Sequence, residues 1–389
     1  MPAVPQYSRR QPLGWLLVCC VCAFLGCPPA VAAATLPRPA WQPVPNLPAP
    51  VDGLTAVLMP DGSVIALGGD AALGSHARMA TELAPDASAW TRLPDAPVEL
   101  DTPAALALTT TSVLVVAPAY ASGSLAQPSR ALILESLERR WIVLPSVPLP
   151  LLAPRLMRLD STHVLAVGAV GGPLGATLDL RTHAWTPLEG PVSDLASYAT
   201  AMLPGKGVLI LASVAISAAG QPSAVRRAWL LSGPHAWRQV ARPPDAEDGA
   251  QAVAIDENRI LFAGGRPIGD NPSQSAPPPI IYDDASNTWK ATGSTGDSHR
   301  GGLLVALGAD LALLIGGHGA MGEPTSECLL FDGSKWHQTQ PLPGSWADYA
   351  LVALPDFRVL LLGGDRREAS TISPVADAIE WSLDPGFPS

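Results

Sequence analysis

Lysine is nearly missing from this chain: three of its 389 residues, against 21 arginines. With so much alanine and proline, that skew reads as a coding bias toward GC-rich DNA rather than a functional signal. Charge of either sign is scarce, at 15% of residues, and the balance is acidic, with a formal net charge of −10. Such a balance argues against nucleic acid and anionic membrane surfaces as partners. Long helices are disfavoured by the 42 prolines, which favour many short strands joined by turns. The catalytic signatures are missing too. No Gly-rich phosphate loop opens a helix, no G-x-S-x-G elbow occurs, and no EF-hand-like acidic loop is present.

Cysteine is scarce beyond the N-terminal segment. Cys19, Cys20, Cys22 and Cys27 lie near the N-terminus, and only Cys328 lies beyond it. The first four fall in a segment with Arg9-Arg10, an apolar run from Gly14 to Gly26, and small residues ending in Ala32-Ala33-Ala34. That is the layout of a secretory signal peptide over residues 1–34, and the run is short for a bilayer span. Ser8-Arg9-Arg10-Gln11-Pro12-Leu13 partly matches the twin-arginine export pattern, with Pro12 in place of the usual aromatic. Phe24-Leu25-Gly26-Cys27 is a degraded lipobox, so lipid anchoring of Cys27 is the alternative to cleavage, and the one route to a membrane. Cleavage after Ala34 leaves one cysteine and a net charge of −12, so a secreted or periplasmic product would rest on its core without disulfides.

What is there is a repeat. Seven stretches each read as two apolar strands around a turn: 54–70, 104–119, 155–170, 199–214, 250–266, 302–318 and 349–365. The turns PDGS, TTTS, DSTH, PGKG, DENR, GAD and PDFR sit at the same place in each. A loop, a third strand and a Trp follow. Trp41, Trp90, Trp141, Trp185, Trp237, Trp289 and Trp336 recur at intervals of 44 to 52 residues. Each unit therefore reads as a four-stranded blade, the Trp beginning the outer strand, where its ring packs between sheets.

These residues carry a resemblance to the kelch-repeat β-propellers of the galactose oxidase central-domain superfamily. It rests on Gly-Gly at 68–69, 264–265, 316–317 and 363–364, on Tyr282-Asp283 and its relatives LLFDG (329–333) and TLDLR (177–181), and on the spaced Trp residues. Ala117-Pro118, Gly168-Ala169 and Ala212-Ser213 depart from it. The resemblance implies an all-β, seven-bladed propeller over residues 35–389. Its blades would span about 51–98, 99–150, 151–192, 193–245, 246–296, 297–344 and 345–389. Trp41 has no hairpin before it, and the last unit lacks a fourth strand. Residues 36–47 are therefore expected to close the ring beside the third strand at 374–385, which removes free edges.

In such a blade the start of the first strand and the end of the second share one rim of the axial channel. Those positions hold Asp52 and Asp70 in blade one, and Asp248, Gln251 and Arg266 in blade five. Blade six offers His299, Arg300 and His318, and blade seven Asp348, Tyr349, Asp365, Arg366 and Arg367. Blades two to four supply Asp101, Tyr120, Arg155 and Tyr198 among mostly small residues. The polar arc from blade five through seven to one suits a binding module for an extracytoplasmic protein or glycan, with Trp346 either stacking on a sugar ring or packing between blades. A solvated rim with local ion pairs is the plain alternative.

The enzymes of the resembled superfamily set tests. Galactose oxidase uses copper held by Tyr and His, including an adjacent Tyr-His pair, with a Cys bonded to a Tyr. No Tyr precedes a His here, and Cys328 falls in a third strand as a structural thiol. Two histidines without a third ligand make no metal site, so no metal or cofactor is expected. Periplasmic sialic acid mutarotases are also exported kelch propellers. That resemblance implies acid–base candidates in His299, His318 and Asp348, with Arg266 beside them. The expected state is a monomer.

Overall fold

The computed structural model describes residues 41–383 apart from 70–76, 122–123, 126, 170–172, 192–194, 219–220, 245–249, 266–277, 297–298, 300, 309, 320–322 and 369–370. The described residues form a β-propeller. Seven four-stranded antiparallel sheets are arranged in chain order, with one small three-stranded sheet and one two-stranded hairpin added. The innermost strands are Thr55–Leu58, Ala104–Ala107, Leu151–Arg158, Leu195–Leu203, Gln251–Ala254, Leu303–Gly308 and Ala350–Leu354. No helix among the described residues is long and apolar enough to cross a membrane.

The second strand of each blade explains the apolar runs. Val64–Leu67 and Ser112–Ala117 are buried throughout, because both faces of a blade are covered by its neighbours. Alternate side chains then serve opposite interfaces. Ile65 and Leu67 pack against blade two, whereas Val64 and Ala66 pack against blade seven. The same division produces a core between every adjacent pair of blades around the ring.

The seventh sheet takes its outer strand from the N-terminal side. Trp41–Pro43 pairs antiparallel with Ala378–Ser382, setting Trp41 opposite Trp381. Val44 and Leu47 prolong the contact through N–H bonds of 3.0 and 2.8 Å to the carbonyls of Ala378 and Ala376. The third strand is shorter than the expected 374–385. Thr371–Pro374 instead pairs with Asp365–Glu368, which pairs with Ser345–Ala347, building the small sheet on the rim of blade seven.

The Trp spacing has a further cause beyond ring packing. Trp141, Trp237 and Trp289 each donate an indole N–H to a carbonyl one blade back, at Pro94, Glu189 and Ala241, all at 2.8 Å. Trp90 reaches Pro45 at 2.7 Å, Trp41 reaches the Gln340 carbonyl at 3.2 Å, and Trp336 uses the Thr292 hydroxyl at 3.0 Å. For these six the partner of the indole N–H stands one repeat back, whereas Trp185 Nε1 is enclosed without one.

The double glycines mark where a second strand ends against the next blade. Gly363 has φ +58°, and a Cβ there would lie 2.5 Å from the Val51 carbonyl oxygen. That oxygen accepts the Gly364 N–H at 2.7 Å, tying blade seven to blade one. Gly68 approaches the Leu100 carbonyl of blade two in the same way, at 2.4 Å from a would-be Cβ.

Candidate functional site

The axial channel is a cavity of about 830 Å³ lined by residues from all seven innermost strands. Two hydrogen bonds fix the level of its side chains. Leu159 N–H bonds the His163 carbonyl at 2.9 Å, and Ile255 N–H bonds the Arg259 carbonyl at 3.0 Å, closing equivalent hairpin turns. Arg155 and Gln251 each stand four residues before those closures, so they share one level although blade four separates them. There Arg155 Nη2 donates to Gln251 Oε1 at 2.6 Å. Loss of solvent around the guanidinium lowers its pKa, opposed only by the field of Tyr198. The Tyr198 phenol is in turn pushed up by burial, with Arg155 pulling it down.

Arg155 is the cationic residue that the rim positions offered from outside the polar arc, Asp101 being the anionic one. Its strand carries an irregularity between Leu151 and Arg155, with Ala153 at φ +44°. A bulge of this kind re-aims the side chains that follow it.

Among the residues expected at the site, the structure brings Gln251, His318, Trp346, Asp348 and Tyr349 to the same cavity. His318 and Asp348 are exposed at its mouth. Asp348 sits at φ +53°, and its carbonyl accepts the Gly53 N–H at 2.9 Å, so the residue is anchored to blade one by its backbone. Trp346 is 3% exposed and belongs to the core between blades six and seven. Its ring carries the Arg366 guanidinium at 5.5 Å from the centroid, and Arg366 reaches Asp377 at 3.2 Å. Tyr349 is mostly core as well: its hydroxyl donates to the Ile315 carbonyl at 3.1 Å, and burial pushes its pKa up.

His299 does not line the cavity. It is 2% exposed, with Nδ1 at 2.9 Å from the Gly316 carbonyl and Nε2 at 3.7 Å from Glu327 Oε2. Burial lowers its pKa, opposed by that hydrogen bond and by Glu327. The imidazole therefore braces the wall behind Gly316 and is not brought together with His318 and Asp348. Asp52 is half-buried and also stands off the cavity. Asp70, Asp248, Arg266 and Arg300 lie outside the described residues.

Cys328 is buried in the third strand of blade six, where burial pushes its thiol up to about 12. Among the described residues no group of three His, Cys, Asp or Glu converges as a metal site would require.

No protein-family model matches the chain, and no curated protein matches it. Among solved structures, that of YjhT is similar at a TM-score of 0.52 and 14% identity, over 88% of this chain and 98% of that one. At that identity the likeness shows the fold alone.

Proposed function

We propose that this chain is an exported kelch-type propeller acting as a binding module. The axial channel is its site, and a small carboxylate-bearing molecule met outside the cytoplasm is its ligand. One observation carries the reading: Arg155 lines the channel with an amide, Gln251, as its hydrogen-bonding partner and no carboxylate partner among the described residues. A partly desolvated guanidinium without a counter-charge favours an anion beside it, and its planar fork matches a carboxylate. The cavity of about 830 Å³ is of small-molecule size. On this reading a carbohydrate partner is an acidic one, and a protein partner presents a carboxylate at the channel mouth.

A second reading, an acid–base enzyme of the sugar mutarotase kind, is favoured by His318 and Asp348 standing at the mouth of the same cavity. Thermal-shift titration with acidic and neutral sugars and short organic acids tests the first. A ligand at 100 times its Kd adds about 2.7 kcal/mol of stability. An acid-specific shift that disappears in Arg155→Gln is the expected result, and shifts indifferent to Arg155 would refute it. Anomer exchange followed by NMR, with and without His318→Ala, decides the second.

A further inference from the structure

Each innermost strand is the last strand of its sheet, so one of its edges has no strand partner. These edges line the channel with main-chain N–H and C=O groups that need hydrogen-bonding partners of their own. Charged side chains are few beside them. Among the described residues that line the cavity, Arg155 is the one guanidinium and Asp348 the one carboxylate. The guanidinium gives Nη2 to Gln251 and meets no anion among the described residues. Asp348 is exposed, and no cation pairs with it among those residues. Two opposite charges therefore stand without counter-charges in one cavity.

The strand register places them at different depths. Leu354 pairs with Arg358 across a three-residue turn, as Leu159 meets His163 in blade three. Ala350 is therefore at the level of Arg155, and Asp348 lies two residues nearer the mouth. At about 3.3 Å per residue, the axial separation is about 7 Å.

We propose that the ligand is a short peptide with both ends free, its terminal carboxylate on Arg155 and Gln251 and its terminal ammonium at Asp348. The inference rests on the channel being the binding site and goes beyond it by naming the ligand class. Gln251 Oε1 is occupied by Arg155, which leaves its amide NH₂ as a donor beside the rest of the guanidinium. Donors alone suit an acceptor-only group such as a carboxylate. A single amino acid is too short, because one residue spans at most ~3.6 Å. Two or three extended residues span about 7–10 Å and reach both charges. Between its ends a peptide carries N–H and C=O groups at strand spacing, which match an unpaired strand edge. A carboxylate without an ammonium would leave Asp348 unpaired and bring a second negative charge toward it.

The test is calorimetric titration of the full chain with trialanine, N-acetyl-trialanine and trialanine amide. Alanine serves as the single residue, and glucuronate as a carboxylate with neither ammonium nor peptide chain. Trialanine should bind at least about tenfold more tightly than either blocked form, as the loss of one charged hydrogen bond implies. Asp348→Asn should abolish the advantage of trialanine over its acetylated form and leave the acetylated form bound no more weakly than before. Asparagine tolerates the φ of +53° at this position, so the backbone anchor to Gly53 is kept. Raising the pH from about 7 to about 9 neutralises the peptide's amino group and should weaken trialanine but not the acetylated form. None of these comparisons needs an Arg155 variant to fold. Arg155→Gln should weaken both carboxylate-bearing peptides about tenfold. Arg155-dependent binding of glucuronate or N-acetyl-trialanine as tight as that of trialanine would overturn this inference and leave the channel reading standing. Trialanine binding indifferent to Asp348→Asn would overturn it in the same way. No Arg155-dependent binding of any carboxylate would overturn both.

Discussion

Replacing Gly363 by Ala tests whether the double glycines exist to let one blade's backbone touch the next. Two costs are separable at this position. The first is conformational: φ is +58°, where an L side chain costs about 1–2 kcal/mol. The second is contact: the new methyl would lie 2.5 Å from the Val51 carbonyl oxygen, with Leu54 Cδ2 at 3.1 Å and Leu47 Cδ1 at 3.3 Å. Backbone cannot yield as a flexible side chain does, and overpacking of this kind adds about 1–3 kcal/mol. Gly205 supplies the control, since its φ is +71° and a Cβ there meets nothing within 4 Å. Gly205→Ala should cost about 1 kcal/mol or less, because alanine also restricts the unfolded chain by ~0.4–1 kcal/mol. Gly363→Ala should cost about 2–4 kcal/mol. Urea unfolding monitored by tryptophan fluorescence, read as midpoint shifts at unchanged slope, measures both. Equal losses in the two variants would refute the close-approach account and leave only backbone conformation to explain the glycines.

Trp289→Phe keeps most of the ring contact with Phe262 and Tyr282 but removes the N–H bond to Ala241. It should destabilise by about 1 kcal/mol in the same assay, and a neutral result would demote the indole bonds to bystanders. His299 makes the fold acid-sensitive. Its folded pKa lies below the ordinary histidine value of about 6.5, so the unfolded chain binds the proton first. Stability from this residue is complete above about pH 6.5 and is lost as pH falls from there toward the folded pKa. The urea midpoint should drop between pH 7 and 5 in wild type and drop less in His299→Gln; parallel profiles would refute the assignment.

The local rules of the chain are legible in its sequence because each is enforced within a few residues. Turn chemistry fixes where a hairpin closes, as the Asp256 carboxylate does by accepting the Asn258 and Arg259 N–H groups at 2.7 and 2.6 Å. Burial on both faces makes the second strands uniformly apolar. For five of the seven spaced Trp residues the interval matches the distance to the previous blade's carbonyl. Repetition then multiplies weak local signals into an architecture.

The site was less legible, because it depends on which way a side chain turns once neighbouring blades are in place. His299 and His318 flank the same hairpin, yet one is sealed behind Gly316 and the other is exposed at the mouth. Tyr349 reads as a rim residue and is mostly core, its hydroxyl turned to the Ile315 carbonyl of blade six. Arg155 lay in a unit without the double glycine, and its partner is 96 residues away. No local pattern encodes the bulge that turns it or the level it shares with Gln251. The sequence alone determined that strands would repeat in fours and stack. Only the closed ring decided which residues meet across the axis, since that depends on register and curvature summed over several blades.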